Sequence, residues 1–226
     1  MSEVEKITMS EARELVANTA LWPLVRDFLW DFAPQVHPSW LEGLEAPLSS
    51  DVSRIMPSSR ARRFVLSTLG VEPCFHAFPK DDWSRIVLLD GATLESIAEW
   101  LGALACADKL RGVTDGKTVR ALKAALPGVY PEVFSFTAYF TGLDFAAKNA
   151  KDAKSPESVV AAGIGLLFAL SGAFPAPIAD RFRLKFPKNL CDLCVLCGEK
   201  ERPAAGVAVK KLLKLKFPEA YSLCCS

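Results

Sequence analysis

The chain has 226 residues, enough for one large domain or two small ones with a sizeable hydrophobic core. Half of the residues are hydrophobic and 23% are charged, which excludes an intrinsically disordered chain. The net charge of +1 hides an asymmetry, since residues 181–226 carry ten Lys/Arg against four Asp/Glu while residues 1–180 carry seventeen against twenty-two. This asymmetry predicts either an anionic partner for the C-terminal region or a solvated basic helix face.

The first segment, "MSEVEKITMSEAREL", is acidic at its start and has no apolar core region. It is therefore not expected to be a signal peptide, and the seven cysteines are expected to be reduced thiols in the cytoplasm. Residues 8–11, "TMSE", match a capping box and predict a helix start. A second capping box is predicted at "SWLE", residues 39–42.

Proline, glycine and helical spacing predict most of the following elements. Pro23 is typical of a first helical turn, and Arg60 to Leu69 is predicted to be a helix that Gly70 closes. Apolar residues at helical spacing predict a helix from about Leu94 to Leu110 and another that Pro127-Gly128 ends. Pro131 is predicted to open a third helix, rich in aromatic residues.

From Val159 to Ala179 the chain has 21 residues without a charge, which is long enough to cross a membrane. Ala, Gly and Ser dilute its hydrophobicity, and Pro175 and Pro177 end any helix near residue 174. The segment therefore predicts a buried core helix. Pro156, in the polar stretch that precedes it, is expected at that helix's start.

The period changes at "RFRLKFP", residues 181–187, where Phe182, Leu184 and Phe186 alternate with basic residues. A period of two is typical of a strand. Pro203 is predicted to open a last helix that continues through Lys216. The predicted fold is mainly α, a single compact helical domain over residues 1–226 with at most a short β element around residues 181–187. Within it we distinguish an N-terminal helical region (residues 1–147), a polar connection (residues 148–158) and a C-terminal region (residues 159–226).

The cysteines of "CDLCVLCGEK" form the main candidate for chemistry. Cys191, Cys194 and Cys197 are spaced by three, but a structural zinc site needs a fourth ligand, for which Cys224 or Cys225 is available. A four-iron cluster motif fails because Glu201 stands where its fourth cysteine belongs. A redox C-x-x-C motif lacks an adjacent βαβ unit. Packing of small apolar thiols is the favoured interpretation, with metal binding as the alternative.

Other candidate motifs lack their context. His37 and His76 have no evident catalytic partner, since Cys74 lies only two residues from His76. The "GIG" at 163–165 lies inside an apolar helix, and "TDGKT" at 114–118 lacks the earlier glycine of a phosphate-binding loop. The cluster "RARR" at 60–63 is a weak nucleic-acid footprint. The sequence thus predicts no enzyme, no catalytic or cofactor-binding residue, no metal ligand and no cofactor.

Four segments, taken together in order, resemble the SctK/YscK (OrgA/MxiK-type) family of type III secretion accessory proteins. The first is "FAPQVHPSWLEGL", residues 32–44, and the second runs from "TLGVEPCFHAF" to "GKTVRAL". The third is "SPESVVAAGIGLLFALSGAFPAPIADRFRLKFPK", where Arg181, Leu184 and Pro187 match an Arg-x-x-Leu-x-x-Pro run. The fourth is "RPAAGVAVKKLLKLKFPEAY". The cysteine-rich insert at 191–197 departs from the family pattern.

The resemblance implies a non-enzymatic scaffold of the sorting platform, at the cytoplasmic face of the bacterial inner membrane. Its implied partners are an SctQ-like pod protein and the cytoplasmic domain of an SctD-like inner-membrane ring protein, with no small-molecule substrate and no nucleic acid. An acidic body and a basic end suit two different partners. Two alternatives stay open: a nucleic-acid-binding regulator that uses the basic C-terminal helix, and a metal or redox protein built on the cysteine cluster.

Overall fold

A computed structural model describes residues 21–42, 44, 57–71, 84–140, 155–172, 174–193 and 202–225. The chain is mainly α, and none of these residues lies in a β-strand. The α-helices are α1 (Trp22–Trp30), α2 (Ser59–Thr68), α3 (Gly91–Ala105), α4 (Ala107–Arg111), α5 (Gly116–Ala125), α6 (Val133–Phe136), α7 (Pro156–Ser171), α8 (Ala176–Leu184), α9 (Lys188–Leu193), α10 (Arg202–Lys216) and α11 (Pro218–Cys225). Short 3₁₀ helices cover Ala33–Gln35, Pro38–Trp40, Ser84–Leu88 and Thr137–Tyr139.

The predicted helix boundaries are largely confirmed where the residues are described. Ser155 caps α7 by accepting from the Ser158 amide, and Pro156 occupies its first turn. Gly70 follows α2 with φ of 71°, a left-handed conformation that glycine adopts without steric cost. The "TMSE" capping box, in contrast, lies outside the described residues.

The fold is organised around α3 and α7, which cross with their backbones in direct contact. Gly102 lies at the crossing on α3, where an added Cβ would stand only 1.9 Å from the Val159 carbonyl oxygen. Gly163 lies there on α7, and its Cβ would stand 1.8 Å from the Ala98 carbonyl oxygen. Both distances are far shorter than any real contact, so only glycine permits this approach.

Other helices cover this pair and complete a core to which both the N-terminal and the C-terminal regions contribute. Burial on nearly all sides explains why α7 carries no charge after Glu157. The Phe168 ring of α7 meets two rings edge to face, Phe182 of α8 at 6.0 Å and Phe186 of the turn after α8 at 5.4 Å. Hydrophobic burial and ring packing therefore hold α8 against α7.

The predicted β element at residues 181–187 is wrong, because this segment forms the end of α8 and the turn after it. Ile178, Phe182 and Phe186 recur every four residues and are all buried. Arg181 and Lys185, whose charge is typical of a solvated face, are each only 1% exposed and belong to the same buried side. The alternation of basic and apolar residues is therefore no strand signal here, because two of the cations lie in the core.

Three further boundaries differ from the sequence prediction. The helix predicted from Leu94 to Leu110 is interrupted at Cys106, between α3 and α4. The aromatic helix after Pro131 is short, with one turn of α-helix followed by a 3₁₀ turn. The second predicted capping box is absent, because Pro38 occupies the first turn and His37, not Ser39, caps the 3₁₀ helix.

Within the described ranges of the chain, no helix combines the length and the hydrophobicity needed to cross a membrane. The helix α7 ends at Ser171, four residues before Pro175.

Candidate functional site

The most unusual side chain in the core is that of Lys185, directly after α8. Its ammonium donates hydrogen bonds to the carbonyl oxygens of Val87 and Leu89, each at 2.7 Å. It also lies 5.2 Å from the centre of the Phe28 ring. Burial lowers the pKa of Lys185 to about 7, although the nearby Asp90 carboxylate opposes this shift. The lysine thus joins α8 to the end of the Ser84–Leu88 helix.

Asp90 lies beside Lys185 and begins α3. Its carboxylate accepts from the Thr93 amide at 2.9 Å and from the Thr93 hydroxyl at 2.7 Å, which is a typical N-cap. Burial raises the pKa of Asp90, but the Thr93 hydrogen bonds and the charge of Lys185 outweigh it, so the pKa is lowered overall. Asp90 is therefore held ionised next to the buried cation.

His37 approaches the same helix from the N-terminal side. Its Nδ1 lies 2.8 Å from the Ser39 hydroxyl and accepts from the Ser39 amide at 3.2 Å. Its Nε2 lies 3.5 Å from the Glu95 carboxylate on α3. No partner of His37 was evident in the sequence, and the structure supplies two, one local and one from a distant helix.

These groups line one pocket of about 530 Å³ between α1, the Ala33–Gln35 and Pro38–Trp40 turns, and the start of α3. Its polar lining includes Asp27, His37, Asp90, Glu95 and Lys185. Apolar walls come from other residues of the same segments and from α11: Leu24, Pro34, Val36, Leu88 and Leu223. The volume lies in the range of ligand-binding clefts, which are commonly apolar with a few convergent polar groups.

The arrangement favours binding over covalent chemistry at Lys185. A lysine nucleophile must reach its substrate, and this side chain is 1% exposed with its ammonium held on two backbone carbonyls. The carboxylates of Asp27 and Glu95 are more accessible, with side-chain exposures of 42% and 38%. Each has a partner of its own, since Arg26 pairs with Asp27 at 2.7 Å and His37 lies 3.5 Å from Glu95.

Arg181 is a second buried cation, one helical turn before Lys185. Its guanidinium donates to the Pro177 carbonyl at 2.8 Å and to the Leu29 carbonyl of α1 at 3.3 Å. Two of the ten basic residues in 181–226 thus lie inside the protein. The basic C-terminal surface is smaller than the charge count suggests.

Of the cysteine cluster, Cys191 lies in the described ranges of the chain, whereas Cys194 and Cys197 lie outside them. Cys191 is buried, and its sulfur lies 3.7 Å from the Arg183 carbonyl and 4.0 Å from that of Phe186. Burial raises the pKa of Cys224 to about 12, which keeps it a protonated thiol. No three His, Cys, Asp or Glu side chains among the described residues are grouped to hold a metal ion.

The described residues of the other candidate motifs have structural roles or lie exposed on the surface. Gly163 of "GIG" serves the helix crossing, and "TDGKT" forms the capped start of α5, where Asp115 accepts from the Thr118 amide at 2.8 Å. Arg62 of "RARR" pairs with Asp31 of the α1 end, while Arg60 and Arg63 are exposed. His76 and Cys74 lie outside the described residues.

The basic helix α10 presents exposed lysines but also uses some of them internally. Lys211 donates to the Tyr139 carbonyl at 2.6 Å. Lys216 pairs with Glu132 and lies 4.4 Å from the centre of the Phe136 ring. Lys210 and Lys214 are exposed on the same helix.

Sequence reasoning missed the pocket because its groups come from distant segments. The one local signal was Asp90 three residues before Thr93, which is typical of a helix N-cap. Nothing in the sequence indicated that Glu95 meets His37 or that Lys185 is buried. In comparisons with known proteins, no family model, no curated protein and no solved structure matches the chain.

Proposed function

We propose that this protein is a non-enzymatic adaptor of a bacterial type III secretion system, resembling the SctK/YscK family. In this proposal it acts at the cytoplasmic face of the inner membrane. It links the cytoplasmic domain of an SctD-like ring protein to SctQ-like pods of the sorting platform. The proposal starts from the order of four sequence segments, and three features of the described residues support it.

The observation that carries the proposal is a contact between two of the resembling segments that are far apart in the sequence. The His37 amide donates to the Leu184 carbonyl at 2.8 Å, and the Trp40 indole donates to the Phe186 carbonyl at 2.8 Å. The Lys188 amide donates to the Ser39 hydroxyl at 2.9 Å. The first and third resembling segments, about 146 residues apart, are thus joined by three hydrogen bonds. If the resembling segments form one hydrophobic core, they must contact each other in this way.

The second supporting feature is the contact between the second and third segments at the α3–α7 crossing. There Gly102 and Gly163 bring the two helix backbones together. Packed interiors with no spare volume resist deformation. An adaptor that holds two partners at a fixed separation needs such a stiff body.

The third feature is the position of the accessible basic charge. With Arg181 and Lys185 buried, the exposed lysines of α10, including Lys210 and Lys214, supply much of the basic surface in the described C-terminal region. Charged patches steer association and select partners by complementarity. In the proposal, the exposed face of α10 meets an acidic surface on one of the two partners.

The test is co-purification of the chain with the pod protein and the ring cytoplasmic domain from the same genome. We expect a stable complex with at least one of them by size-exclusion chromatography with light scattering. The double variant Lys210→Glu/Lys214→Glu should weaken one of the two interactions about tenfold or more. The control Lys117→Glu/Lys123→Glu makes the same charge change on the exposed side of α5 and should leave that interaction intact.

Deletion of the gene should abolish type III secretion without a metabolic defect. Failure to bind either partner, together with normal secretion in the deletion strain, would overturn the proposal. The purified protein should also be titrated with DNA at several salt concentrations. Binding that falls steeply with salt would favour the nucleic-acid alternative instead.

A further inference from the structure

We infer that residues 134–140, which we call the strap, open and close separately from the rest of the fold and are held closed by three cations. The strap comprises the end of α6, the Thr137–Tyr139 helix and Phe140. Its cations are Arg111 of α4 and Lys211 and Lys216 of α10. The inference concerns the fold alone and holds whether or not the partners are those of a secretion system.

The strap lies on the surface of the core. Val133, the residue directly before it, is fully buried. From Phe134 onward every residue of the strap is half-buried or exposed, and Tyr139 is 58% exposed. Segments that bury few apolar side chains open locally at a lower free energy than the core does. The strap should therefore open while α3 and α7 stay packed.

Backbone amides of the strap donate to nearby residues. The Ser135 amide donates to the Glu132 carbonyl at 3.0 Å, and the Phe140 amide donates to the Thr137 carbonyl at 3.0 Å. The Thr137 hydroxyl donates to the Phe134 carbonyl at 3.1 Å. These bonds shape the strap, but they do not attach it to other helices. The attachment comes from side chains.

Lys216 joins α10 both to α3 and to the strap. Its ammonium lies 4.6 Å from the centre of the Trp100 ring of α3 and 4.4 Å from the centre of the Phe136 ring of the strap. The two rings meet edge to face at 5.7 Å, and Lys216 also pairs with Glu132, just before the strap. The strap thus covers Trp100, which is only 7% exposed. Opening of the strap exposes this indole ring.

Lys211 and Arg111 hold further parts of the strap. The Lys211 ammonium donates to the Tyr139 carbonyl at 2.6 Å. The Arg111 guanidinium donates to the Thr137 hydroxyl and lies 5.6 Å from the centre of the Phe134 ring. Cations from two different helices therefore contact successive parts of one short segment. Because they hold the same segment, loss of one cation should promote opening of the whole strap.

These contacts lie close to solvent and are sensitive to dissolved ions. The side chains of Lys216 and Glu132 are 21% and 47% exposed. Salt screens charged pairs at the surface much more than it affects apolar packing in the core. The strap should therefore open more readily as the salt concentration rises, while the contact between α3 and α7 keeps its stability.

The first experiment is hydrogen exchange of the isotope-labelled full-length protein, followed for single amides by NMR. The Ser135 and Phe140 amides should be at least about a hundredfold less protected than the Leu101 amide in α3. Between about 20 mM and about 500 mM sodium chloride, protection of these two strap amides should fall about threefold to tenfold. Protection at Leu101 should not fall with it.

Variants of the protein assign the closed state to the cations. Lys216→Met keeps a long side chain and removes the charge, so it should lower protection at Ser135 and Phe140 about threefold to tenfold. Arg111→Met should lower protection of the same two amides. The control Lys214→Met makes the same change at an exposed position of α10 and should leave both amides unchanged. The Leu101 amide reports whether the core of each variant is intact.

Three outcomes would overturn the inference. One is equal protection of the strap amides and of Leu101, which would mean that the strap opens only with the whole fold. Another is equal protection of the strap amides in Lys216→Met and Lys214→Met, which would mean that the cation does not hold the strap. The third is that Lys216→Met and Arg111→Met each affect a different strap amide, since the strap would then not move as a unit.

Discussion

The α3–α7 crossing and the end of α8 both place side chains or backbone in the core, but different forces hold them. At the crossing, Gly102 and Gly163 let two backbones touch, with no charged group in the contact. At the end of α8, Arg181 and Lys185 carry cations into the core and bind backbone carbonyls of α1 and of the Ser84–Leu88 segment. One contact depends on shape, and the other on polar groups that must stay satisfied.

The two regions should therefore respond to different perturbations. Close packing is sensitive to volume and insensitive to pH. A buried cation is tolerant of small shape changes but loses stability when its partners or its protonation state are altered. The comparison predicts that volume changes act on the α3–α7 crossing and charge changes act on the α8 end.

The largest effect is expected from Gly163→Ala at the crossing. The added Cβ would stand 1.8 Å from the Ala98 carbonyl oxygen, a backbone atom that moves only if the helices separate. We expect the free energy of unfolding to fall by about 3 kcal/mol or more. Chemical denaturation followed by circular dichroism measures this loss.

The control for this variant is Gly116→Ala, at the first position of α5. An added Cβ meets nothing within 4 Å there, so its stability should stay equal or rise slightly, since alanine favours a helix. If Gly163→Ala proved as stable as this control, the close approach of the two backbones would be refuted.

The second effect is the pH dependence that Lys185 contributes. Its pKa of about 7 in the folded protein lies below the ordinary lysine value of 10.5. Between these values the unfolded chain binds a proton that the folded chain has lost. The free energy of unfolding therefore rises as pH increases from about 7 to 10.5. Below pH 7 both states are protonated, and the full penalty of burying the charge is present.

Replacement of Lys185 by Met, which has a similar volume, should remove this dependence. As pH rises from 7, the unfolding free energy of the native protein should increase relative to that of Lys185→Met. The expected slope is at most about 1.4 kcal/mol per pH unit. Other titrating groups near the site, including Asp90, His37 and Glu95, are common to both proteins. A flat difference between pH 6 and pH 9 would contradict the buried-cation account.

The smallest expected effect is a difference in stability loss between variants of two aspartate N-caps, Asp90 and Asp115. Asp90 and Asp115 both accept from a threonine three residues later, but only Asp90 also lies beside Lys185. Asparagine preserves an N-cap and removes the charge. At pH 6 we expect Asp90→Asn to lower stability by about 0.5 kcal/mol, the order of a solvent-screened pair, and Asp115→Asn to lower it less.

The extra loss in Asp90→Asn should shrink above pH 7, as Lys185 loses its proton. Thermal unfolding of both variants at pH 6 and pH 9 measures this change. Equal effects of the two variants at both pH values would mean that Asp90 and Lys185 are not coupled.

Helices with strong local signals could be predicted from the sequence. The Ser155-Pro156 start of α7 and the Gly70 end of α2 depend on backbone preferences of single residues, so they are visible without the fold. The α8 end has the sequence pattern of a strand only if its cations face water, as periodicity arguments assume. Arg181 and Lys185 violate that assumption, and only tertiary contacts explain why.

The candidate site could not be predicted in the same way. Asp27, Glu95 and Lys185 belong to three helices or their ends, and they meet only after α1 and α8 pack near the start of α3. The sequence predicts that His37 lies in a loop, and the structure places it directly before the Pro38–Trp40 helix. Its contact with Glu95 depends on the fold.

Gly102 and Gly163 carry a final consequence for how this protein can evolve. Every other amino acid has a Cβ atom, so no missense change in either codon is neutral in the present arrangement. Buried leucines and isoleucines elsewhere can drift to residues of similar size at modest cost. As a lineage diverges, these two glycines should therefore outlast most of the hydrophobic residues around them.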